Sequence, residues 1–215
     1  MISNLNLKFK KLILAVVLFC FAALCFSSCK TKTVNHDIYE KIYEKYSNLK
    51  GFEAQAEISV KSNLTENIYT VKQYYLSPNN FKTQVLSPEN LKGIGYTISG
   101  GKVNLTSNNS GEFYLEGYVP EDKSCVFIND FFECYFKSQS AFAETVSSVK
   151  GLGCTLLRCN LSEENPKHHS QCLWINNKSL LPEKLITYDN DGEETITVTY
   201  KSFSTDEDLI KKFFN

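Results

Sequence analysis

Between residues 52 and 119 the chain is a succession of strand-length segments joined by connections too short to hold a crossover helix. Segments 52–61, 68–77, 81–86, 95–99, 103–106 and 113–119 are rich in Val, Ile, Thr, Tyr and Phe. Ser77-Pro78-Asn79-Asn80, Ser87-Pro88-Glu89-Asn90 and Gly100-Gly101 punctuate them as turns. Neighbours linked this tightly run antiparallel, because parallel strands need a crossover of about a dozen residues or more. Two further hairpins follow. One joins 151–162 to 170–176 around 163–169; the other joins 185–189 to 195–203 around Asn190-Asp191-Gly192, a strong hairpin turn signal.

Three segments carry a helical period instead. Over 36–50, Ile38, Tyr39, Ile42, Tyr43, Tyr46 and Leu49 recur on one face, and Gly51 ends the run as a glycine past a helix does. Over 129–149, Phe131, Phe132, Tyr135, Phe136, Ala141, Phe142, Thr145 and Val149 suit one broad helical face, or two helices broken near 138–140. This aromatic stretch either fills one side of the sheet or forms a lid over an apolar cavity. A short helix over 206–213 has its acids early and Lys211 and Lys212 late, as the helix dipole favours. The class is β-rich α+β.

The N-terminus is organised differently. Lys8, Lys10 and Lys11 precede an unbroken apolar run from Leu12 to Phe26, and Ser27, Ser28 and Cys29 follow. Basic, apolar and small-residue regions in that order make a secretory signal. As a helix the run reaches about 22 Å, short of a bilayer core of about 30 Å, so a membrane span is the weaker reading. The small pair before Cys29 resembles a bacterial lipobox, whose cysteine receives a diacylglycerol and becomes the new N-terminus. Cys20 and Cys25 are poorer candidates because bulky Phe19 and Leu24 precede them. The expected organisation is a lipoprotein signal over 1–28, a lipid-anchored tether over 29–35 and a single domain over 36–215. That places the chain on the extracytoplasmic face of a bacterial membrane.

Charge and motif content narrow the function. The signal holds three of the 23 basic residues and none of the 24 acidic ones, so the mature chain carries a net charge of about −4. The basic footprint of a nucleic-acid binder is missing. No glycine loop has the form of a phosphate cradle. His168 and His169 lie in a polar turn, and nothing sets the pKa values of Glu163 and Glu164 apart. Cys154, Cys159, His168, His169 and Cys172 offer enough soft ligands for zinc, but Cys154 and Cys159 lie five apart on a strand and point to opposite faces. No cofactor, metal or catalytic residue is expected.

Five cysteines remain beyond Cys29: Cys125, Cys134, Cys154, Cys159 and Cys172. In an antiparallel hairpin the indices of paired residues have a constant sum. Centring the turn on Asn165-Pro166 pairs Cys159 with Cys172 and Leu157 with Trp174. Directly opposed residues have Cβ atoms roughly 4.5–5.5 Å apart, near enough for a disulfide. The alternative is two packed free thiols.

The run Leu173-Trp174-Ile175-Asn176-Asn177-Lys178-Ser179-Leu180-Leu181-Pro182-Glu183-Lys184 resembles the Trp-Ile-Asp and Leu-Pro strand and turn of the LolA-like lipoprotein-carrier superfamily. Residues 188–198, 208–213, 46–52 and 74–88 resemble its other strands and its ending. The resemblance implies a strongly curved antiparallel sheet, an unclosed half-barrel, with helices on the concave face. Soluble carriers of that superfamily lack an anchor, so a shuttle role does not fit. An anchored, lysine- and asparagine-rich member is most similar to the clostridial spore germination lipoprotein GerS. That implies a non-catalytic partner of a cell-wall amidase that trims the spore cortex, and a homodimer by strand exchange. The alternative is a carrier or receptor with an apolar cavity for acyl chains. Tyr39, Tyr43, Tyr74, Tyr75 and, above all, Phe131, Phe132, Tyr135 and Phe136 supply aromatic area for a partner or lipid.

Overall fold

In the computed structural model the described residues are 35–62, 64–107, 111–116, 123–147, 153–161 and 166–214. The signal region, Cys29 and most of the tether lie outside them. Helix α1 (His36–Ser47) leads into β1 (Gly51–Lys61), β2 (Glu66–Leu76), β3 (Asn80–Ser87), β4 (Gly95–Ser99), β5 (Lys102–Ser107) and β6 (Gly111–Glu116). A short α2 (Lys123–Val126) and α3 (Ile128–Lys137) interrupt the strands. Then come β7 (Phe142–Ser147), β8 (Gly153–Asn160), β9 (Ser170–Asn176), β10 (Pro182–Tyr188), β11 (Glu194–Ser204) and α4 (Glu207–Lys211).

All 11 strands form one sheet in the order β6-β5-β4-β3-β2-β1-β11-β10-β9-β8-β7. Every neighbouring pair is antiparallel. The two arms are each a run of hairpins, and β1 joins them by pairing with β11. The sheet is open: β6 and β7 are its ends. This is the unclosed antiparallel sheet with helices that the resemblance implies.

Register explains the core. Ala54, Ala56 and Ile58 of β1 stand opposite Gln73, Val71 and Tyr69 of β2 and Phe203, Tyr200 and Val198 of β11. The row continues through Leu185, Leu173 and Leu157 to Ala143 at the β7 end. Because side chains alternate across a strand, these residues share one face. Helices α1, α2 and α3 cover that inner face with Ile42, Tyr46, Phe127, Ile128, Phe131, Phe132 and Tyr135, all buried. Helix α4 lies against β1 and β2, where Ile210 is buried and Phe213 packs on Tyr74 at 4.2 Å.

Four expectations need correction. Residues 142–147 form β7, not a second helical stretch: Thr145 and Val146 suit a strand, and the edge of β8 offers them a ladder. Gly51 opens β1 and does not end α1. A Cβ there would sit 2.8 Å from the carbonyl oxygen of Tyr75, so the glycine permits a close backbone approach. Tyr74 is only 3% exposed and packs in the fold. Lastly, β8 and β9 pair one residue away from the expected register. Cys159 faces Gln171, and Cys172 faces Arg158. Cys159 therefore lies on the inner face and Cys172 on the other, and both are free thiols. The expected bond between them does not exist, because a one-residue slip turns every side chain of a strand to the opposite face.

Candidate functional site

Helix α3 was the expected contact surface, and most of it is core. Phe131 is 0% exposed, Phe132 2% and Tyr135 4%. Phe132 stacks on Tyr46 with ring centroids 4.3 Å apart, and Phe131 stacks on Tyr135 at 5.7 Å. None of the three offers area to a partner. Tyr46 is held by a hydrogen bond from its hydroxyl to the Leu180 carbonyl at 2.9 Å, and Lys45 Nζ donates to the same oxygen at 3.0 Å. These bonds fasten α1 over the turn between β9 and β10. Burial raises the Tyr46 hydroxyl pKa well above its usual value, so it stays a neutral donor.

Phe136 differs from its neighbours. It is partly exposed, packs edge-on against the half-exposed Tyr43 at 5.0 Å and stacks on Phe132 at 5.4 Å. One residue earlier, the Tyr135 hydroxyl donates to the Phe142 carbonyl at 3.5 Å, which fixes α3 beside the start of β7. Phe142 is 50% exposed. It pairs with Arg158 and Ala143 pairs with Leu157, so Phe142 projects from the face opposite the helices. Tyr43 and Phe136 thus flank the end of the sheet from the helix side, and Phe142 from the other.

Strand β7 itself has no second partner strand among the described residues. Its free edge presents backbone N–H and C=O groups to any chain that can lie alongside. A cleft of about 240 Å³ opens beside it, lined by His36, Tyr39, Tyr135, Ala141 and Ala143. Sequence reasoning found Tyr43 and Phe136 but placed Phe142 on a helix; reading 142–147 with period two would have marked this edge.

A second concavity lies on the other arm of the sheet. It measures about 380 Å³ and is lined chiefly by Tyr69, Val71, Val85, Tyr96, Leu105 and Val126. Its volume falls in the range of small-molecule pockets and its lining is apolar.

One pair of side chains was not foreseen. Cys134 of α3 packs against the core beside Cys159 of β8, and its Sγ lies 3.3 Å from the carbonyl oxygen of Asn160. The Cys159 thiol hydrogen-bonds to Cys134. That bond, helped by Lys137 and opposed by burial and Glu133, holds the Cys134 pKa down to about 7, while Cys159 is pushed up and keeps its proton. Alkylation needs the thiolate. Iodoacetamide should therefore modify Cys134 with a rate that rises through about pH 7, and ahead of the buried Cys125, Cys154, Cys159 and Cys172. A midpoint near that of a free cysteine, about 8.5, would show the Cys159 bond to be absent.

No group of three or more metal-ligating side chains converges among the described residues. His36 pairs with Glu40 at 3.2 Å on the exposed side of α1.

Comparison with known proteins adds the family. A family model described as sporulation protein YdcC-like matches residues 8–214. No curated protein matches the chain. Among solved structures, an uncharacterised conserved protein from Thermus thermophilus aligns with a TM-score of 0.50 and 14% identity, covering 81% of this chain and 91% of that one. The complex of the CwlD amidase with the GerS lipoprotein from Clostridioides difficile gives a TM-score of 0.48 and 23% identity, over 81% of this chain and 98% of that one. A putative outer membrane lipoprotein-sorting protein domain from Vibrio parahaemolyticus gives 0.47 and 12%, over 83% and 95%. At these identities the likeness speaks to fold alone. The family match spans nearly the whole sequence, and the chain belongs to the YdcC-like family of sporulation proteins.

Proposed function

We propose that this chain is a non-enzymatic, lipid-anchored sporulation protein that binds another protein along the β7 edge, and that its partner is a cell-wall amidase acting on spore cortex. The observation that carries the binding role is the free β7 edge with exposed Tyr43, Phe136 and Phe142 on its two sides. Backbone pairing along an edge gives affinity, and side-chain contacts on alternate positions give specificity. Aromatic side chains are the residues most often found to dominate interface energies. Sporulation comes from the family, and the amidase class from the sequence resemblance. GerS, a lipoprotein solved in complex with the CwlD amidase, makes that class the first to test.

The test is co-expression of the full-length chain with the cortex amidase of its own organism, followed by gel filtration in detergent and an assay on cortex peptidoglycan. Co-elution and a gain in amidase activity support the proposal. Separate elution at micromolar concentrations, with unchanged activity, rejects it. A second copy of the chain pairing along β7 would appear in the same run as a dimer without amidase.

The apolar cavity over β2–β5 favours a second reading, a carrier of acyl chains. Native mass spectrometry separates the two: co-purified acyl ligand supports the carrier, and a clean apoprotein the protein binder.

Lipidation at Cys29 supplies the membrane attachment in either case. Cys29→Ala should abolish incorporation of labelled fatty acid and leave the precursor uncleaved. Retained label would assign the lipid to another cysteine.

A further inference from the structure

Cys134 and Cys159 differ in the way that attacking and resolving thiols differ. Cys134 is half-exposed on α3, whereas Cys159 is fully buried on the inner face of β8. The Cys134 Sγ lies 3.3 Å from the carbonyl oxygen of Asn160, the residue after Cys159, and Cys134 packs against the core to which Cys159 belongs, which holds the helix over the strand at this point. No other described cysteine combines solvent access with a neighbouring thiol partner of this kind.

We propose that Cys134 and Cys159 are a thiol–disulfide exchange pair, in which Cys134 takes an incoming disulfide and Cys159 resolves it into a bond that ties α3 to β8. The co-reactant is a disulfide, either of an extracytoplasmic oxidoreductase or of a small-molecule thiol. In the first step the Cys134 thiolate attacks one sulfur of that disulfide. The S–S bond breaks, the other sulfur leaves as thiolate and takes a proton from water, and Cys134 is left in a mixed disulfide. Cys159 then attacks the Cys134 sulfur, and the second thiolate leaves with the proton that Cys159 gives up. Two protein thiols are oxidised, and one external disulfide is reduced to two thiols. The hydrogen bond from Cys159 keeps part of Cys134 as the nucleophile at neutral pH, and the fully buried Cys159 is closed to an external disulfide. The product fixes the helix that carries Phe136. The pair does not depend on the identity of the protein partner.

The test uses the reduced full-length chain in detergent, exposed to oxidised glutathione at neutral pH. Trypsin cuts after Lys123, Lys137, Arg158 and Lys167, so Cys134 and Cys159 fall in separate peptides. The expected wild-type product is a cross-link between those peptides, assigned to Cys134 by fragmentation, with no retained glutathione. Cys159→Ala should trap a stable glutathione adduct on Cys134. Loss of the hydrogen bond should also slow alkylation of Cys134 at pH 7 about tenfold or more. Cys134→Ser should leave Cys159 unmodified. A persistent adduct on wild-type Cys134, a cross-link to another cysteine, or oxidation of neither residue would overturn the proposal, and the wild-type measurement alone decides between these.

Discussion

Phe131→Ala is expected to destabilise the protein by about 3–5 kcal/mol, the usual cost of emptying a buried phenylalanine site. Phe131 is fully buried and touches both Phe132 and Tyr135. The cavity cannot collapse easily, because the rings around it belong to the same helix and the sheet beneath is fixed by its ladders. For a domain of this size the change corresponds to a fall in melting temperature of roughly 6–20 °C. Phe136→Ala, one turn along and partly exposed, should cost only about 1 kcal/mol through the lost stacking on Phe132. Denaturant unfolding of both variants checks the contrast. Equal, small effects would mean that α3 is not packed on the sheet as described, and that Phe131 is available to a partner after all.

The second large effect concerns binding. Replacing Tyr43, Phe136 and Phe142 together by alanine should weaken the amidase complex by at least about 2 kcal/mol, or roughly 30-fold in Kd. Tyr43 and Phe142 are about half exposed, so they have little core packing to lose. A measured affinity unchanged within twofold, in a variant that melts normally, would place the partner elsewhere on the molecule. As a control, a bulky change in the apolar cavity, Val85→Trp, should leave amidase binding intact while abolishing any co-purified lipid.

Most of the sheet could be read from the chain because local signals agree with one another. In β1 the alternation of Ala54, Ala56 and Ile58 with polar Gln55, Glu57 and Ser59 has the period of a half-buried strand, and the structure buries that set. In α1 the spacing of Ile42 and Tyr46 marks the buried face. The failures arose where the deciding interaction is distant in sequence. Phe142, Thr145 and Val149 fit a helical period as well as alternate residues of β7 fit a strand. Six residues cannot separate the two periods, and the ladder offered by β8 does. Register in the β8–β9 hairpin failed for a related reason. The connection closes with Leu161 N–H donating to the His169 carbonyl at 2.8 Å, one residue out of step with a turn centred on Asn165-Pro166. Loop residues rich in Glu, Asn and Pro announce a turn but not its centre, and the disulfide expectation fell with the register. The pairing of Cys134 with Cys159 joins a helix to a strand, so no spacing rule along the chain could have suggested it. The exposed rim was missed in part because aromatic content does not say which rings are buried; only the packing of α3 on the sheet separates Phe136 from Phe131, Phe132 and Tyr135.

Hydrogen–deuterium exchange of the full-length chain, alone and with saturating amidase, reads the docking edge most directly. Amides of residues 142–147 that point away from β8 have no ladder partner among the described residues, and such exposed edge groups exchange readily. Docking along this edge predicts that they become protected in the complex, together with the surroundings of Tyr43 and Phe136, while β2–β5 exchange as before. Protection confined to β2–β5 around the apolar cavity, with residues 142–147 unchanged, would contradict it.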